Sequence, residues 1–147
     1  MNVRPWLNKL QPSLSEVSGS EEGRAEAARI HGLTCQCCGA ADWHLSTVRE
    51  PVHQLTNFAA VAECAKCGRT LGIFNANDFG ADFPLHAGRV LKCTCSSSTF
   101  HPILTLLPDS DIPTDQDRAS HFQLLARCAS CATDLNVIDW EFEAKEN

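Results

Sequence analysis

Four pairs of closely spaced cysteines constrain this chain more than any other feature. In Cys35-Gln36-Cys37-Cys38-Gly39, Cys38 is separated by 25 residues from the first cysteine of Cys64-Ala65-Lys66-Cys67-Gly68. In Cys93-Thr94-Cys95-Ser96, Cys95 is separated by 32 residues from the first cysteine of Cys128-Ala129-Ser130-Cys131-Ala132. Two residues between cysteines let the backbone turn back on itself and point both sulfurs at one ion. A glycine after the second cysteine supplies the positive φ that such a turn favours. Two such pairs offer four soft donors, which suits tetrahedral Zn²⁺. The expected metal ligands are Cys35, Cys38, Cys64 and Cys67 in one site, and Cys93, Cys95, Cys128 and Cys131 in the other. The front pair of the first site has an alternative. Glycine and spacing favour Cys35 with Cys38, whereas the Cys93-x-Cys95 pair favours Cys35 with Cys37. The first choice leaves Cys37 as a spare thiol beside a metal.

The two cysteine sets sit inside an internal repeat. Phe58, Ala62, Cys64, Ala65, Cys67, Leu71 and Ile73 match Phe122, Ala126, Cys128, Ala129, Cys131, Leu135 and Val137. Leu33 and Cys35 match Leu91 and Cys93, and Trp43-His44 matches Phe100-His101. Each unit reads as three short strands, at 43–48, 55–63 and 71–75 and at 99–107, 120–127 and 135–140. The second unit has a longer middle, an acidic, proline-containing loop at 107–117. This gives four regions: an N-terminal helical extension at 1–32, a first unit at 33–76, an ordered connector at 77–90 and a second unit at 91–147. In the extension, Trp6, Leu7, Leu10, Leu14 and Val17 recur at helical spacing, limited by Pro5 and Pro12. Ser20 is placed to cap a second helix over 21–31. Phe79, Phe83 and Leu85 make the connector too apolar for a free linker, so it is expected to lie against both units.

The chain carries a formal charge of −6. Two Zn(Cys)4 centres would bring it to about −10, because ligation requires thiolates. Such a chain is not built for non-specific attraction to phosphate backbones. Residues 1–14 do not read as a signal peptide, and no stretch approaches the length of a membrane span. The expected compartment is cytoplasmic, where clustered cysteines stay reduced and bind metal. Units this small sit near the limit at which an apolar core alone suffices, which is a reason to recruit a metal.

Other chemistry is sparse. His44 and His101 recur in both units and are expected at strand edges or hydrogen-bonded to thiolates. Asp109, Asp111, Asp115 and Asp117 match no calcium loop and read as solvated. Trp43 and Trp140 are expected in packing between strands or units. Lys66, Arg69 and Arg127 flank the cysteine turns as a thin basic set. There is no phosphate-binding glycine loop, nucleophile motif or His-Glu-x-x-His pattern.

The paired cysteine turns around a strand-rich middle resemble the zinc-ribbon superfamily over residues 33–76 and 91–141. The first unit is also similar to rubredoxin, which holds iron between two Cys-x-x-Cys-Gly turns, though it lacks the proline usual there. The resemblance implies a small, metal-stabilised, mainly β fold of two zinc-ribbon-like units in tandem, with two zinc ions per chain and iron as the alternative. Four sulfurs leave no open coordination position, so the sites are structural rather than catalytic. The expected function is a non-enzymatic adaptor that binds another protein. A nucleic-acid-binding or transcription-associated ribbon and a rubredoxin-like electron carrier are the alternatives.

Overall fold

A computed structural model describes residues 2–16, 29–48, 59–75, 89–109 and 117–142. These residues form a mainly β protein with one short N-terminal helix. Helix α1 spans Arg4–Leu10, with Pro5 in its first turn, where a missing N–H costs nothing. A 3-10 turn over Gln11–Ser13 ends it at Pro12. The strands are β1 (Leu14–Glu16), β2 (Arg29–Leu33), β3 (Trp43–Val48), β4 (Ala59–Cys64), β5 (Thr70–Asn75), β6 (Arg89–Val90), β7 (Phe100–Pro108), β8 (Ala119–Cys128) and β9 (Asp134–Glu141). Among the described residues they form one antiparallel sheet.

The repeat is a repeat of register. β3-β4-β5 and β7-β8-β9 are each consecutive antiparallel ladders. Trp43 pairs with Cys64 in the first, and Phe100 with Cys128 in the second. Both third strands carry a bulge at the same place, after Ala60 and after Leu124, leaving Ile73 and Val137 as the extra residues. Both extra side chains are buried. The two ladders meet where Trp43 pairs with Phe100, so the first strands join antiparallel at equivalent positions. That pairing relates the repeats by a local pseudo-twofold axis.

Four strand spacings separate β5 from β8 in the sheet, about 19 Å if it were flat. Yet Phe74 of β5 stacks on Phe122 of β8, with centroids 4.7 Å apart and planes 1° from parallel. The sheet therefore curls on its right-handed twist until its two halves face each other. Trp6 of α1 packs edge-on to Phe122 at 5.7 Å, and Trp140 of β9 lies 5.9 Å from Phe74. This aromatic cluster continues into Leu10, Trp43, Leu45, Phe100, Leu104, Leu106, Leu124 and Ile138, all buried. Trp43 is thus a core residue, and its indole Nε1–H donates to Leu33 O at 2.9 Å. Trp140 is half-buried against the core.

The N-terminal segment differs from the helical extension expected of it. Only α1 is helical. Leu14–Glu16 is strand β1, and Arg29, Ile30 and His31, placed in the second helix by sequence, belong to β2. β2 pairs with residues 103–106 of β7, on the side opposite β8, and β1 adds to β2. A free sheet edge offered a row of backbone partners, and that outweighed local helix preference. Residues 17–28 and most of the connector, 76–88, lie outside the described residues. So do Phe58 and Asp111 and Asp115 of the acidic loop. Asp109 and Asp117 are not simply solvated: they pair with Arg118 and Arg4. No helix among the described residues is long and apolar enough to cross a membrane.

One buried bond helps to fix helix α1 on the sheet. The bulge leaves the Ile73 carbonyl outside the regular ladder, and Trp6 Nε1–H donates to it at 2.5 Å in a buried setting. Trp6→Phe keeps an aromatic ring in the cluster but strips that carbonyl of this donor. The expected loss is about 1–3 kcal/mol in guanidinium denaturation. An unchanged midpoint would mean the bond contributes nothing.

Candidate metal centres

Each ladder presents its cysteines at one end because one turn is used three times and a shorter form of it once. In the first front turn, Cys35 N–H donates to Ala40 O and Gly39 N–H donates to Cys35 O. In the first rear turn, Cys64 N–H donates to Arg69 O and Gly68 N–H to Cys64 O. The second rear turn repeats this with Cys128, Thr133 and Ala132. The second front turn, one residue shorter, closes with Ser96 N–H on Cys93 O and Cys93 N–H on Ser97 O. All four turns need a left-handed residue just after the second cysteine. Gly39 and Gly68 fill it at φ 76° and 80°, and Ser96 and Ala132 fill it at 74° and 63°.

These turns bring Cys35, Cys38, Cys64 and Cys67 together, and likewise Cys93, Cys95, Cys128 and Cys131. Within each group the sulfurs all lie within 4.8 Å of one another. The closest cross-turn separations are 3.6 Å for Cys35–Cys67, 3.5 Å for Cys38–Cys64, 3.5 Å for Cys93–Cys131 and 3.5 Å for Cys95–Cys128. A tetrahedron with Zn–S bonds of 2.3 Å has edges of about 3.8 Å. The sulfur sets therefore fit a tetrahedral ion closely, and all nine cysteines are free thiols rather than disulfides. Each group can hold one metal ion.

Cys37 stands outside the first group. It is exposed, and Arg69 Nη1–H donates to its sulfur at 2.8 Å. His44 and His101 bond to groups other than the sulfurs. His44 Nδ1 bonds to Ser98 O at 2.9 Å and His101 Nε2 to an Asp42 carboxylate oxygen, so each reaches across to the other repeat. Arg127 is engaged by Asp134 through two bonds, of 2.8 and 3.2 Å. Thr133 was not singled out by sequence. It stands 3.2 Å from Cys131 Sγ, at the position that Arg69 occupies after Cys67. The Cys131-x-Thr133 spacing was the available signal.

Without a cation, four thiols this close divide their charge. The Cys38 amide, opposed by burial and aided by the Cys37 amide, pulls Cys35 down to about 6. The Cys131 amide does the same for Cys128, also to about 6. Cys67 is helped by the Arg69 amide but dominated by neighbouring sulfurs and burial, and is pushed up to about 12. Cys95, despite the Ser97 amide, is pushed up to about 12 by Cys128 and burial. Cys38 is raised as well: the Ala40 amide is outweighed by burial and by Cys64 and Cys35. The Thr133 hydroxyl, then its amide, lower Cys131.

The centres are not equivalent. Cys35 and Cys64 are buried, Cys38 is half-buried and Cys67 exposed in the first, whereas Cys95 and Cys131 are both exposed in the second. Comparison with known proteins returns no matching family model, no matching curated protein and no matching solved structure.

Two measurements follow from this geometry. Metal binding needs thiolates, and at pH 7 Cys38, Cys67 and Cys95 hold protons in the metal-free fold. Filling both centres at pH 7 is expected to release at least three protons into weakly buffered solution. Apparent affinity then rises with pH, and its slope steepens below about pH 6, where Cys35 and Cys128 also become protonated. Release of one proton or none would contradict this charge division. Second, Ala132 bears a left-handed strain that Gly68 does not. Ala132→Gly is expected to stabilise by about 1 kcal/mol, and Gly68→Ala to destabilise by about 1–2 kcal/mol. A Cβ on Gly68 meets nothing within 4 Å, so the loss would be backbone strain alone.

Proposed function

We propose that this chain is a non-enzymatic tandem zinc-ribbon scaffold that binds another protein. The observation that carries the reading is the closure of both sites. Each has four cysteine sulfurs at tetrahedral spacing and no room in the donor set for a water or substrate. Bound at Cys35, Cys38, Cys64 and Cys67, and at Cys93, Cys95, Cys128 and Cys131, Zn²⁺ would supply cross-links and no reaction chemistry. Each cross-link would tie the start of a ladder to its rear hairpin. The free thiols fit a reducing, cytoplasmic setting. The acidic charge of −6 weighs against the nucleic-acid alternative.

Native mass spectrometry with metal analysis tests this directly. Two zinc ions per colourless chain are expected. A red protein with iron would favour the electron-carrier reading, and a stoichiometry other than two would sink the two-centre reading. The more open second centre, with its tighter front turn, is expected to yield its metal first. In a chelator titration, Cys131→Ser should remove the fast phase of release and Cys67→Ser the slow one. The opposite assignment would overturn the ranking.

A further inference from the structure

The two repeats share one ladder register, so each serves as a control for the other. On the outward face of the first repeat lies a groove of about 380 Å³, lined by His44, Ser46, Val61, Glu63, Thr70, Val90 and Ser98. Its floor is a grid set by strand pairing. His44, Glu63 and Thr70 form one row across β3, β4 and β5. Val90, Ser46, Val61 and Gly72 form the next row across β6, β3, β4 and β5. The register places larger residues at the matching positions of the second repeat: Ile103 for Ser46, Leu125 for Val61 and Asn136 for Gly72. The groove exists where the first repeat has given up side-chain volume.

Its polar chemistry has diverged in the same way. In the second repeat the positions of Glu63 and Thr70 hold Arg127 and Asp134, which satisfy each other through a two-bond pair. In the first repeat the Glu63 carboxylate meets no cation and no donor among the described residues. His44 stands directly opposite Glu63 in the ladder. Its Nδ1 bonds to the Ser98 carbonyl, which can only accept, so Nδ1 carries the proton and Nε2 is left as the acceptor of the neutral ring. A carboxylate, an imidazole acceptor and the hydroxyls of Ser46, Thr70 and Ser98 thus gather around one space. Val61 and Val90 supply apolar wall, and Val90 is 58% exposed, with no cover among the described residues.

We propose that this groove receives a lysine side chain of the protein partner. An ammonium has three donors for the carboxylate, the imidazole nitrogen and a hydroxyl, and its four-carbon stem fits against the valines. The acidic charge of the chain favours such a partner. The inference rests on the reading of the chain as a protein-binding scaffold and names what the scaffold grips.

The test is an NMR titration of the full zinc-loaded chain with the blocked tripeptide Gly-Lys-Gly, and with its norleucine and arginine counterparts. Metal content is measured on the same sample. Lysine should shift amides around His44, Glu63 and Thr70, and norleucine should not. Glu63→Gln should weaken the lysine peptide about tenfold. Gly72→Asn, which restores the second repeat's residue, should abolish binding while leaving two zinc ions in place. Equal binding by Glu63→Gln, equal binding of norleucine, tighter binding of arginine or shifts elsewhere would overturn the proposal. So would a third zinc ion taken up at His44 and Glu63. A wrong metal count with intact lysine binding would fault the zinc reading and leave the groove standing.

Discussion

Four thiols held at the separations seen here cannot all ionise without a cation among them. Backbone amides aimed at Cys35 and Cys128 draw charge most strongly onto those two sulfurs, and neighbouring sulfurs and burial push it off Cys67 and Cys95. The arrangement is therefore frustrated when empty and satisfied when a divalent ion sits at its centre. That electrostatic condition accounts for the local backbone. Four turns adopt left-handed residues and reciprocal backbone bonds so that sulfurs from separate hairpins converge. Each turn also ends or precedes a strand, so the convergence sets where the ladders begin.

From those ends the rest of the fold follows by pairing. Trp43 and Phe100 occupy the same place in each repeat and pair with each other, which joins two small ladders into one sheet. The aromatic cluster draws on both ladders, with Phe74 from the first and Phe122 and Trp140 from the second. Curling of the joined sheet lets Phe74 stack on Phe122, and α1 closes the cluster with Trp6. The histidine contacts reinforce the seam, because His44 and His101 each reach into the opposite repeat. Their recurrence in sequence reflects the seam between repeats rather than hydrogen bonds to the metal-site sulfurs.

The repeat and its strands were legible because they rest on short-range pattern. Cysteine spacing, alternating apolar residues and the match of Ile73 with Val137 are local signals, and the last marks a shared bulge. The gathering of Cys35 and Cys38 with Cys64 and Cys67 was also readable, from glycine placement in the turn. What sequence missed depends on distant partners. Residues 29–31 looked helical because nothing local announced the edge of β7 that they pair with. Ser96 and Ala132 stand where the first unit has glycine, yet they adopt the same left-handed backbone as those glycines. Local preference yielded there to the requirement that sulfurs converge.

Duplication also explains how one fold can hold two unlike faces. A register shared by both repeats means that backbone geometry is nearly a constant between them, so differences in side chains read directly as differences in surface. At the second repeat, Arg127 and Asp134 close on each other, and the bulkier Ile103 and Leu125 stand opposite one another in the ladder. At the first, the same positions hold Glu63, Thr70, Ser46 and Val61, and a groove opens. The buried requirements of the two halves stay matched: knuckle turns, bulge and seam residues keep their places. The rows that floor the groove are free to diverge because they support neither sulfur convergence nor the aromatic cluster. A carboxylate with no partner among the described residues is easily tolerated in water on such a row, and none of the bonds that build the sheet holds it.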